Sequence, residues 1–118
     1  MKRDMDLVRQ LLLSFEDETI ESREIDDRDV NHIEMLLEQG LVDGVSILRG
    51  IDGHVGYGFH TPRLTWTGHE FLETIRQKTV WEKIKKLIDE KGVGLTIDGI
   101  KFAAPLVVKS MLGAPSQG

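Results

Sequence analysis

Apolar residues at Met5, Val8, Leu11, Leu12 and Phe15 follow the 3.6-residue period of an amphipathic helix, with Asp4 placed to cap it and Arg9 and Gln10 on the opposite face. A second stripe, Val30, Ile33, Leu36 and Leu37, predicts a helix from about Arg28 to Gln39 that turns Asp29, Glu34 and Glu38 outward. Gly40 ends it. A glycine in the left-handed C′ position followed by Leu41 suits a Schellman closure, in which Leu41 folds back on Leu36. Between the two helices, TIESREI offers only Ile20 and Ile25 among charged neighbours, which predicts a short extended segment.

The period then changes. Residues 41–49 (LVDGVSILR) and 55–66 (VGYGFHTPRLTW) are rich in β-branched and aromatic residues, with GIDGH between them, so a β-hairpin is expected. Gly56 and Gly58 alternate with Val55, Tyr57 and Phe59, leaving one face nearly bare, and Pro62 fits an edge or a bulge. Thr67-Gly68-His69-Glu70 has the spacing of a capping box, with Trp66 and Phe71 available as a hydrophobic staple. Phe71, Leu72 and Ile75 carry that third helix to about Gln77. Thr79-Val80-Trp81-Glu82 repeats the box before Trp81, Ile84, Leu87 and Ile88, and Gly92 stops the fourth helix. Thr96 caps a last helix through Ile100, Ala103, Leu106, Val107 and Leu112, kinked or restarted at Pro105. The fold class is thus α+β. Residues 1–77 form its core, 78–113 a helical extension of the same domain, and 114–118 (APSQG) a disordered tail.

Composition narrows the chemistry. The 118 residues include no cysteine, which excludes a disulfide framework, thiolate metal sites and a cysteine nucleophile. No stretch approaches the roughly 18 apolar residues of a membrane span. The run Leu11–Leu13 is bounded by Asp4, Asp6, Glu16 and Asp17, so no signal peptide is expected and the cytoplasm is the expected compartment. The net charge of −5 is unevenly placed: residues 17–39 carry nine acids against Arg23 and Arg28, a local −7.

The order helix, short piece, helix ending QGLV, glycine-tipped hairpin and LTWTGHEFLETI resembles the winged-helix proteins of bacterial regulators over about residues 4–77. The strings MKRDMDLVRQLLL, VNHIEMLLEQGLV and RLTWTGHEFLETIRQKTVW further resemble an uncharacterised family of small bacterial and prophage-associated proteins across nearly the whole chain. The resemblance implies a winged helix with a reduced middle helix, since residues 16–27 are too few and too acidic for that helix and its turns. It also implies duplex DNA as ligand and a homodimer built through the C-terminal helices, consistent with the apolar run FAAPLVVKSML.

Candidate residues follow. Arg28, Asn31 and His32 at the start of the second helix, with Arg49, His54 and Arg63 on the hairpin, have the chemistry to meet base edges and phosphates. Asp26, Asp27, Asp29 and Glu34 would repel phosphate. The alternative is an adaptor whose Glu24, Asp26, Asp27 and Asp29 engage a basic protein or mimic nucleic acid, and DNA holds a narrow lead because the winged helices it resembles are mostly DNA readers. GIDGHVGYGFH lacks the G-K-[ST] ending of a phosphate loop, and no serine stands in G-x-S-x-G. His54, His60 and His69 miss the i, i+4 spacing of a zinc helix. No catalytic residue, cofactor or metal is expected, and the chain is read as a non-enzyme.

Overall fold

A computed structural model describes residues 3–113, and among them the chain is α+β, with five α-helices and one antiparallel hairpin. In order these are α1 (Met5–Glu16), a 3-10 turn (Ile20–Ser22), α2 (Asp27–Glu38), β1 (Val42–Arg49), β2 (Val55–Leu64), α3 (Trp66–Ile75), α4 (Lys78–Lys91) and α5 (Ile97–Gly113). Contacts divide the chain within α3 into two compact units, Met1–Leu72 and Glu73–Gly118. The tail expected at 114–118 lies outside the described residues.

In the first unit, Asp4 caps α1 by accepting the amides of Asp6 and Leu7. Helix α1 buries Met5, Val8, Leu11, Leu12 and Phe15, and α2 buries Val30, Ile33 and Leu36. The closure at Gly40 forms as its sequence implies. Gly40 has φ +70°, its amide reaches the Leu37 carbonyl at 3.0 Å, and the Leu41 amide reaches the Leu36 carbonyl at 2.9 Å. Leu36 and Leu41 are both fully buried. The segment expected to be extended contains instead the 3-10 turn, which seats Ile20 in the core.

Strands β1 and β2 pair from Val42 opposite Leu64 to Arg49 opposite Val55, with an irregularity between Asp43 and Val45. There Gly44 has φ +80° and Thr61 φ +57°, one residue before Pro62. A Cβ on Gly44 would stand 2.3 Å from the Thr61 carbonyl oxygen, so only glycine fits beneath the bulge.

The start of α3 differs from the expected one. Its cap is Thr65, whose hydroxyl accepts the Gly68 amide at 3.0 Å and donates to the Gly40 carbonyl. The Thr65 amide also donates to the Leu41 carbonyl at 3.0 Å. These bonds hold α3 to the Gly40 closure, two residues ahead of the Thr67 frame. Trp66 then lies on the first turn and is 80% exposed, so it makes no staple with Phe71.

In the second unit, α4 and α5 pack together, burying Trp81, Ile84 and Ile88 on one helix and Ile100, Ala103, Ala104 and Val107 on the other. The Thr79/Glu82 box does not form. Helix α4 begins two residues early, with Gln77 at the cap and no side-chain capping bond. Gly92 ends α4 at φ +72°. Thr96 caps α5, its hydroxyl accepting the Gly99 amide at 3.0 Å. Pro105 lies inside a helix that continues through it.

Candidate interaction surface

The residues offered for DNA contact are placed in two ways, and neither leaves a free cationic surface. His32 is fully buried. Its Nε2 accepts the Asp4 amide at 2.9 Å and its Nδ1 donates to the Arg28 carbonyl at 2.8 Å, which defines a neutral ring used on both sides. This is a correction to its expected role: it holds α2 to the first turn of α1 and cannot reach a base edge. Asn31 is half-buried.

The exposed basic side chains are closed onto carboxylates. Arg28 pairs with Asp4, so the aspartate that caps α1 also receives a guanidinium from α2. Arg49, at the end of β1, pairs with Glu34 of α2. Arg63 meets Asp43 at 3.0 Å, directly across the hairpin register. His54, in the hairpin loop, lies 2.9 Å from an Asp52 carboxylate oxygen through Nδ1. Each of the three exposed arginine pairs contributes about 0–1 kcal/mol. Burial opposes ionisation of Asp4, but the Leu7 amide, the Arg28 guanidinium and the Asp6 amide outweigh it and hold the carboxyl below its ordinary value. The Asp52 carboxyl is lowered by the His54 backbone amide and then by the His54 ring.

The four acids proposed for a basic partner separate equally cleanly. Asp26 and Asp29 form a capping box at the start of α2: the Asp26 carboxylate accepts the Asp29 amide at 2.8 Å, and Asp29 accepts the Asp26 amide at 3.3 Å. Asp29 is buried and also faces Arg23 at 3.5 Å. Its expected role as a partner contact is therefore corrected to a helix start. Glu24 and Asp27 are exposed. The box was legible as Asp26-Asp27-Arg28-Asp29, a capping residue followed three positions later by an acid.

The far end of the hairpin carries apolar surface. Leu48 is 70% exposed and Ile51 fully so. Leu48 stands opposite Gly56, on the bare face expected from the glycine alternation. Behind them Tyr57 meets Phe59 edge-on, with ring centroids 5.5 Å apart. On α4, Lys85 lies 3.3 Å from Glu82 and over the Trp81 ring. Among the described residues no three His, Asp or Glu side chains gather to hold a metal, and no helix is long and apolar enough to cross a membrane.

These features define an α+β chain that presents an acidic helix start and an apolar hairpin end. The family model described as Hypothetical protein (DUF2513) matches residues 2–94, and the chain belongs to that family. A Haemophilus influenzae protein carrying the name Uncharacterized protein is 33% identical over 124 aligned positions, which cover 95% of this chain and 99% of that protein. No solved structure matches this chain significantly.

Proposed function

We propose that this chain is a non-enzymatic, winged-helix-like interaction module that engages a basic protein partner through the exposed acids before and at the start of α2 and through the apolar end of the hairpin. One observation carries this reading. Arg28, Arg49 and Arg63 each face a carboxylate of their own chain, whereas Glu24 and Asp27 remain exposed with no ion pair among the described residues. A phosphate approaching α2 would meet Asp26, Asp27 and Glu34 before it met an uncompensated cation. A basic surface would meet the opposite balance, and Leu48 and Ile51 would add apolar contact beside it.

Duplex DNA is the second reading, favoured by the order α1, short turn, α2, hairpin, α3, in which α2 takes the place of a recognition helix and the hairpin that of a wing. Exposed ion pairs are weak enough for an arginine to exchange carboxylate for phosphate. Binding to a mixed-sequence duplex at low salt separates the two. Under the adaptor reading the parent does not bind at micromolar concentration, and Glu24→Gln/Asp27→Asn weakens capture of a basic partner cross-linked from the host while the fold stays intact. Micromolar duplex binding that falls steeply with salt and is lost in Arg49→Ala/Arg63→Ala would replace the adaptor reading with DNA.

A further inference from the structure

Helix α5 buries Ile100, Ala103, Ala104 and Val107 on the side that packs with α4. On its other side Asp98, Phe102, Pro105, Lys109 and Leu112 recur at steps of four, three, four and three residues, and all five are exposed. Steps averaging 3.5 residues draw one straight seam along a helix, the pattern by which helices pair. Phe102 is 75% exposed and Leu112 77%. A cavity of about 570 Å³ opens beside Phe102 and Leu106, and another of about 560 Å³ beside Val108 and Leu112. Such a seam, with a groove on either shoulder, is the shape a second helix fills.

The charges on the seam select the occupant and its direction. Asp98 and Lys109 are opposite in sign and eleven residues apart, about three helical turns along the same line. A second α5 laid antiparallel, with its two-fold axis between residues 103 and 104, sets Asp98 against Lys109 of the second copy, and Phe102 against Pro105 of the second copy. Each contact occurs twice, as an isologous interface requires. Two apolar layers are then bracketed by two ionic ones, and the antiparallel helix dipoles attract. A parallel pair would place Asp98 on Asp98 and Lys109 on Lys109, which is repulsive.

We infer that a second copy of this chain docks antiparallel on the outer seam of α5, with Asp98 facing Lys109 across the interface. The inference stands apart from what unit Met1–Leu72 binds. Sedimentation equilibrium of the full chain at micromolar concentration tests it. The parent should dimerise, and Asp98→Lys or Lys109→Glu should each raise Kd at least about tenfold, because each creates two like-charge contacts. The double variant Asp98→Lys/Lys109→Glu should return to within about threefold of the parent. Far-UV circular dichroism should show equal helicity throughout, and Phe102→Glu supplies a second break independent of the ion pair. A monomeric parent, single reversals that leave the dimer intact, or a double variant no tighter than the singles would overturn the proposal. A monomeric parent that sediments with phosphatidylglycerol vesicles would overturn it in favour of a lipid surface.

Discussion

The start of α2 and the outer side of α5 both carry charged residues on amphipathic helices, yet they use them in opposite ways. At α2 the carboxylates of Asp26 and Asp29 satisfy backbone amides and Arg28 closes on the cap of α1. At α5, Asp98 and Lys109 have no ion-pair partner among the described residues and stand in line with exposed Phe102 and Leu112. A charge that answers an orphan amide of its own fold is accounted for by folding. A charge aligned with large exposed apolar groups is not, and the second copy proposed above would account for it.

The contrast breaks most visibly in the core. Leu36→Ala should cost about 2–5 kcal/mol, because a fully buried side chain under the Gly40 closure leaves a cavity when truncated. Leu112→Ala should change monomer stability by less than about 0.5 kcal/mol, since that side chain is mostly in water. Chemical denaturation below the association range measures both, and equal losses would show that the α5 seam is buried within the monomer. His32→Leu comes next, at about 1–3 kcal/mol, because it strips the Asp4 amide of its acceptor. Gly68→Ala should cost a similar amount or more, as its Cβ would stand 1.9 Å from the Leu41 carbonyl oxygen. Smaller again, Thr65→Ala should cost ~1 kcal/mol, while Thr67→Ala should stay within about 0.5 kcal/mol. Reversed magnitudes would restore the Thr67 frame.

What could be read from the sequence was local. Asp4 as a cap, the Gly40–Leu41 closure, the bare glycine face, Gly92 and the Thr96 cap each follow from chemistry within one turn of chain. The misses came from contacts that cross it. Thr65 and Thr67 offer two starts for α3, and Thr67 had the better local partner in Glu70. The Leu41 and Gly40 carbonyls, more than twenty residues away, decide for Thr65. On α2 the expected stripe included Leu37 and left Asp29 and His32 out, but the buried residues are Asp29, Val30, His32, Ile33 and Leu36. That rotation draws His32 inward, where the backbone amide of Asp4 gives its ring a partner. Local sequence shows the acids and arginines around α2 as separate charges. Their mutual pairing does not show there, because it depends on which strand lies beside which helix.

The smallest effect concerns pH and divides the paired carboxylates further. Asp4 lies below the ordinary aspartate value of about 3.9 in the folded chain, because the Leu7 amide, Arg28 and the Asp6 amide together outweigh the opposing effect of burial. Between the folded and unfolded values the native state therefore binds fewer protons than the unfolded one. The stability Asp4 contributes is complete above about pH 4 and is lost as pH falls through its lowered folded value. Asp4→Asn keeps an oxygen for the Asp6 and Leu7 amides but has nothing to titrate. Its melting midpoint should therefore fall less than the parent's between about pH 5 and pH 2.5. Arg28→Ala should flatten the same limb partially, since it removes one of the three stabilising partners. Asp52 is also lowered, but by His54 on an exposed loop where salt screens the contact. Asp52→Asn in about 0.15 M salt should leave the acid limb close to the parent's, because the loop charge bears on no element of the core. Equal flattening by both variants would mean that the hairpin loop is as tightly coupled to folding as the joint between α1 and α2, and the division between charges that hold the fold and charges that face outward would then have to be redrawn at the hairpin.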